Sequence, residues 1–305
     1  MFLLFLACLL GLLGLTYLMP PPEEEPVSRV VLPAVSSQPT PPELSPQART
    51  RTLRTRLEQV TAEYPGTYGV VVYDPSSEET VALNADKRFL AASLTKLPVL
   101  LTLYSAAARG EVNLEDEISM LSSDVQAYGT GVLYTYPVGH TMTLRECAEF
   151  MIKESDNTAW VMLNRYLGRE NIEAELYEIG ARSTEYWIPN TTTPNDVLIM
   201  LQTIADPSYT TPEYSAEMLN LMKDTSFEDR LPQPLPEETR VAHKIGSYGD
   251  TFSDAGVVFP SGSRRTENAY FIVVIAEDTT ESTARSAMQD TSLVTYRLLG
   301  EPPRP

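Results

Sequence analysis

Apolar positions along the chain fall into three regimes. Residues 2 to 19, "FLLFLACLLGLLGLTYLM", form an unbroken uncharged run. It stops just short of the roughly 20 apolar residues that a spanning helix needs, so residues 1–19 read as a targeting segment outside the fold. The stretch "PPPEEEPVSRVVLPAVSSQPTPPELSP" then has little periodic apolar content and much Pro, Ser and Glu. That composition predicts a semi-extended spacer over residues 20–47. Residues 48–300 alternate between helical and strand periodicity and predict the folded domain, with a short tail at 301–305.

Inside the domain a helix near 48–63 precedes two β-rich runs, "TYGVVVYDP" and "ETVALNAD", split by a Pro-Ser-Ser turn. They predict a hairpin. The segment "FLAASLTKLPVLLTLYSAAARG", residues 89–110, reads as one apolar helix and opens a helical stretch that runs to about Asp224. Within that stretch, "TLRECAEFMIKES" sets Thr143 and Glu146 at capping-box spacing and Leu144, Ala148, Met151 and Ile152 at helical spacing. Helix resumes in "TAWVMLNRYLG" and stops at Gly168, which places Ser155, Asp156 and Asn157 in a corner between two helices. Three more β-rich runs, "TRVAHKIGS", "SDAGVVFP" and "NAYFIVVIAED", precede a last helix from about Thr283 to Leu299. Strands at both ends with helices between them predict an α/β (α+β) domain. Its N- and C-terminal segments share one antiparallel sheet, and a helical lobe packs against it and leaves a cleft.

Charge and composition narrow the partners. A net charge of −18, from 41 acidic and 23 basic residues, disfavours nucleic acid or an anionic membrane surface. The two cysteines, Cys8 and Cys147, build no disulfide framework, and the latter reads as a small apolar core residue. Two isolated histidines, His140 and His243, make no zinc site, and nothing implies a cofactor. The N-terminal run lacks a basic leader and a small-x-small cleavage site, which predicts a retained signal anchor. Cleavage with secretion, or lipidation at Cys8, are the alternatives.

Two polar residues stand out in the apolar segment at 89–110. Ser93 and Lys96 are three apart and share one helix face. A serine hydroxyl becomes a nucleophile when a base adjoins it, and a partly desolvated lysine is such a base. The plain alternative is a helix-start serine with a lysine reaching to water. Ser155-Asp156-Asn157, taken alone, is a set of good capping residues. Lys244-Ile245-Gly246 ends a β-run, where the bare Gly246 lets a ligand backbone approach the strand edge. Tyr128 is placed at the cleft, and strand alternation turns His243 away from it.

In this order, at separations of about 60 and 90 residues, the three motifs form the Ser-x-x-Lys, Ser-Asp-Asn and Lys-x-Gly set of the serine penicillin-recognising enzymes. Over about residues 48–300 the chain resembles the class A β-lactamases and their penicillin-binding relatives. The segments "GTGVLYTYPVGHTMTLRECAEFMIKESDNTAWVML" and "EDRLPQPLPEETRVAHKIGSYGDTFSDAGVV" extend the likeness beyond the motifs.

The resemblance implies a β-lactamase/transpeptidase-like fold, with a five-stranded antiparallel sheet flanked by terminal helices plus an all-helical lobe. It implies that Ser93 attacks a lactam or amide carbonyl, Lys96 takes its proton, and Ser155 relays a proton to the leaving nitrogen. Asn157 then binds the acyl amide, Lys244 supplies positive potential near the substrate carboxylate, and the backbone N–H groups of Ser93 and Ser247 form the oxyanion hole. It also implies a monomeric catalytic domain on the outer face of the cytoplasmic membrane. The substrate is a β-lactam or the D-Ala-D-Ala end of a peptidoglycan stem peptide. A non-catalytic wall-binding or sensor domain is the contrasting reading.

Three departures qualify the likeness. Ile245 stands where the family usually has a hydroxyl residue, and Ser247 is the candidate substitute. No arginine lies between Lys244 and Ser263 to anchor a carboxylate. The loop ahead of "TTTP", Thr191 to Pro194, is short, lacks the Glu-x-x-Leu-Asn pattern that places the deacylating water, and holds only Glu185. Acylation without fast release is the expectation.

Overall fold

The computed structural model describes residues 44–260 and 269–300. The segments expected to be a signal anchor (1–19) and a tail (301–305), and nearly all of the expected spacer (20–47), lie outside the described residues. The helix expected near 48–63 is α1 (Pro46–Glu63), capped by the Ser45 hydroxyl with Pro46 at its first position. Among the described residues no helix is long and apolar enough to cross a membrane.

The chain then runs β1 (Thr67–Asp74), β2 (Glu79–Leu83), β3 (Phe89–Leu90), α2 (Lys96–Ala108), β4 (Glu117–Ser119) and β5 (Thr141–Thr143). Next come α3 (Leu144–Lys153), α4 (Asn157–Leu167), α5 (Arg169–Ile179), β6 (Thr191–Thr192), α6 (Pro194–Ala205) and α7 (Pro212–Leu221). The last elements are β7 (Arg240–Tyr248), β8 (Thr251–Phe259), β9 (Tyr270–Glu277) and α8 (Glu281–Leu299). Five strands make one antiparallel sheet in the order β2-β1-β9-β8-β7, as the pattern at the two chain ends requires.

The central strands read as continuous apolar runs because both sheet faces are covered. In β1 and β9, Val71, Val273 and Ile275 pack on the helical lobe, whereas Val70, Val72, Ile272 and Val274 pack under α1 and α8. Side-chain alternation thus feeds two cores from one sheet. The lobe is centred on α2, whose residues from Lys96 to Ala107 are all buried. An all-round apolar helix is what a lobe centre needs.

One expected element differs. The segment from Phe89 is not a single helix: β3 pairs with β6, a short 3₁₀ turn covers Ala92–Thr95, and α2 starts only at Lys96. Ala92 carries φ +47°, a left-handed conformation that costs energy for a residue with a Cβ. The turn is held from outside by Asn190, whose backbone C=O accepts from Ala91 N at 2.9 Å and whose Nδ2 donates to the Ala92 C=O at 3.1 Å.

Candidate active site

Three structural corners converge on one cleft of about 560 Å³ between the lobe and the sheet. The 3₁₀ turn contributes Ser93, and the first residue of α2 contributes Lys96. The break between α3 and α4 contributes Ser155 and Asn157. There the Thr143–Glu146 capping box starts α3, and Asp156 caps α4 by accepting from Ala159 N at 3.0 Å. Edge strand β7 contributes Lys244, Ile245 and Ser247.

The polar centre is tight. Lys96 Nζ lies 3.0 Å from Ser93 Oγ, 2.9 Å from the Ser155 C=O, 3.3 Å from Ser155 Oγ and 2.8 Å from Asn157 Oδ1. An ammonium has three hydrogens, so four oxygens around it cannot all accept. A neutral amine donates to the two carbonyl oxygens and offers its lone pair to a serine hydroxyl. Burial favours that form: Lys96 is 1 % exposed, and desolvation lowers its pKa to about 7 against the opposing charge of Asp156. Lys244 Nζ donates to Ser155 Oγ at 2.8 Å and to the Ile245 C=O at 3.3 Å. Burial, with Lys96 as the next cause, holds its pKa well below the usual lysine value. Ser155 Oγ therefore bridges two lysines, and its φ of +50° marks a second strained corner in the site.

Asp156 turns away from the chemistry. It is buried, and its Oδ2 accepts from Val132 N at 2.5 Å and Leu133 N at 2.8 Å, which ties the Tyr128–Leu133 segment to the corner. Asp156→Ala strands these donors and the Ala159 N–H, and should cost about 3 kcal/mol in urea unfolding. A change under about 0.5 kcal/mol, the range of a neutral surface substitution, would contradict this role.

Most of the sequence-derived site residues do meet here. Ser93, Lys96, Ser155, Asn157, Ser247 and Tyr128 line the cleft, with Tyr128 70 % exposed at its mouth. Lys244 reaches the centre through Ser155. Asn157 is already engaged, since its Nδ2 also donates to the Tyr128 C=O at 3.0 Å. Gly246 differs from expectation: a Cβ there would meet Ser253 Oγ at 2.5 Å and the Ala91 C=O at 3.1 Å. The room it leaves is filled by Ser253 and by the turn that carries Ser93, so this glycine seats that turn on the sheet.

A scan of family models matches the β-lactamase enzyme family over residues 52–299. The chain belongs to that family. A β-lactamase of Pseudomonas aeruginosa, VEB-1, is 24 % identical over 240 residues, 70 % of this chain and 80 % of that protein. Beta-lactamase 3 of Bacillus cereus is 27 % identical over 226 residues, 66 % of this chain and 68 % of that one. Among solved structures, PBP-A superposes with a TM-score of 0.75 at 25 % identity over 85 % of this chain and 98 % of that one. A β-lactamase from Sphaerobacter thermophilus superposes at 0.74, also at 25 % identity, over 83 % and 99 %. The chain is a serine hydrolase of the β-lactamase family, with the β-lactamase/transpeptidase-like fold.

Two features of this family member escaped the sequence. Arg230, from the coil ahead of β7, is 3 % exposed and lines the cleft. Its guanidinium donates to the Gly246 C=O at 2.9 Å, the Ser253 C=O at 2.6 Å and Ser247 Oγ at 2.6 Å. The basic group missing after Lys244 thus arrives from upstream, and its one sequence signal is that no other Lys or Arg occurs between Lys223 and Arg240.

The path of the short loop before β6 is the second. Glu185 pairs with Arg88 and with the Thr191 backbone, away from the cleft lining. Tyr186 is buried, its hydroxyl donating to Asn164 Oδ1. Trp187 stacks on the cleft-lining Trp160, ring centroids 5.2 Å apart and planes at 21°. Trp160, a residue of α4, is thus a wall of the site.

Proposed function

We propose that this protein forms an acyl-enzyme on Ser93 with β-lactams and with acyl-D-Ala-D-Ala peptides, and that the β-lactam acyl group leaves slowly. Lys96 takes the Ser93 proton as the hydroxyl attacks the carbonyl. The backbone N–H groups of Ser93 and Ser247 stabilise the oxyanion, and the Ser155 hydroxyl passes a proton to the departing nitrogen. Arg230 and Ser247, with Lys244 behind them, meet the substrate carboxylate. An arriving carboxylate opposes the burial that depresses the Lys244 pKa and so favours the charged form of this lysine.

The observation that carries slow release is where the carboxylates lie. Among the described residues that line the cleft, only Asp229 and Glu281 are acidic, and both pair with Arg285 on the Arg230 side. The wall beside Ser93 and Lys96 is built from Asn190, Trp160 and Leu90. A water there has no carboxylate to take its proton, and the ester waits. A variant of PBP-A has been solved as an acyl-enzyme complex with penicillin G, which supports the same covalent chemistry on this fold. The N-terminal apolar run and Pro-rich spacer support a domain held outside the cytoplasmic membrane, facing peptidoglycan.

Intact-protein mass spectrometry of the domain after mixing with benzylpenicillin tests this. An adduct on Ser93 that persists for hours is expected. An adduct that vanishes within seconds while the drug is consumed would mean that another group activates water. No adduct and no turnover would point to a wall-binding module instead.

A further inference from the structure

On the face of β7 turned away from the cleft lies a cluster of ionisable groups that the acyl transfer does not touch. His243 is fully buried, as alternation from Lys244 requires. Its Nδ1 is 2.8 Å from Asp254 Oδ1 on β8, and its Nε2 is 3.2 Å from Glu228 Oε1. Ionised carboxylates only accept hydrogen bonds, so an imidazole that bridges two of them must carry a proton on each nitrogen. Burial alone would oppose that charge, but Asp254 and Glu228 outweigh it and push the His243 pKa up to about 9.

Both carboxylates grip the same segment. Asp254 Oδ2 accepts from Leu231 N at 3.0 Å, one residue past Arg230. Glu228 Oε1 accepts from Thr225 N at 2.7 Å and from the Thr225 hydroxyl at 3.0 Å. The backbone N–H of His243 also donates to the Met222 C=O at 2.8 Å. His243, through its ring to Glu228 and Asp254 and through its backbone to Met222, thus joins β7 and β8 to residues 222–231, the coil that delivers Phe227, Asp229 and Arg230 to the cleft.

We infer that His243, with Asp254 and Glu228, is a positioning residue for Arg230, and that it thereby sets the preference for substrates bearing a free carboxylate. This rests on the reading of Arg230 as the group that meets that carboxylate. A glutamine or asparagine carries both N–H donors on one nitrogen and cannot reach two carboxylates on opposite sides. No neutral replacement keeps both grips.

The test compares acylation by benzylpenicillin with acylation by its methyl ester, in which the carboxylate is masked, for the native domain, His243→Gln, Glu228→Gln and Arg230→Gln. For His243→Gln the half-saturating concentration of benzylpenicillin should rise by about tenfold or more, the range of one charged hydrogen bond. Its limiting acylation rate and its reaction with the ester should stay near native. Glu228→Gln, at a partly exposed position, should move the same ratio in the same direction by less. A merely structural histidine would lower the limiting rate on both substrates alike, and that result overturns the inference. So does an unchanged acid-to-ester ratio in both the His243 and Glu228 variants while Arg230→Gln loses it. If Arg230→Gln also keeps the ratio, the reading of Arg230 has failed and the inference falls with it.

Discussion

Ser93→Ala gives a folded protein that takes no covalent mark from benzylpenicillin and turns none over. Ser93 Oγ is the hydroxyl within reach of Lys96 Nζ that sits on the exposed side of the polar centre, whereas Ser155 is 1 % exposed. Removing one oxygen from a half-buried turn leaves the core untouched, so the thermal midpoint should move by no more than about 1–2 °C. Mass spectrometry with the native domain as control decides it. Residual labelling mapped to Ser155 would give the nucleophile's place to the corner serine instead.

Lys96→Ala should lower the acylation rate by about 10²–10⁴, the usual contribution of a positioned base. The native protein should also show a pH signature. A lysine can act as a base only when neutral, and the pKa of Lys96 is lowered to about 7. The acylation rate should therefore climb tenfold per unit below pH 7, bend near 7 and level off above it. In the alanine variant that bend should vanish. A native profile flat between pH 5 and 9, or a variant labelled at native speed, would remove Lys96 from this role.

Much of this site was legible because local signals set its corners. The Thr143–Glu146 box and Gly168 frame Ser155–Asn157 between two helices, and both act over a few residues of chain. The two lysines followed from motif spacing, and the turning away of His243 followed from alternation along β7. What stayed hidden depends on contacts between distant segments. Arg230 lies in a coil without periodicity, just ahead of three prolines, and only the folded hairpin of β7 and β8 shows that it ends beside Ser247. Gly246 was read for what its bare Cα admits from solvent, while the turn at Ala91 and Ala92 takes the space. The 3₁₀ turn at Ala92–Thr95 was masked by apolar residues that suit a helix equally well. Trp160 and Trp187 find each other across a loop whose shape no pattern specified.

The sheet order carries a consequence for how this chain is made. Strand β1 lies between β2 and β9, with Thr67 opposite Glu277, so its second partner is synthesised only after the whole helical lobe. Until then "GVVVY" has one hairpin neighbour and a bare edge, the kind of segment that aggregates when left waiting. A nascent chain emerging from a ribosome or a translocation pore cannot finish its central sheet until its last strand follows. Delivery across a membrane in an unfolded state and a holdase that covers the early hairpin both suit such a topology. Truncation just before β9 should leave both flanks of the sheet unmated, and the product should be degraded, not half-active.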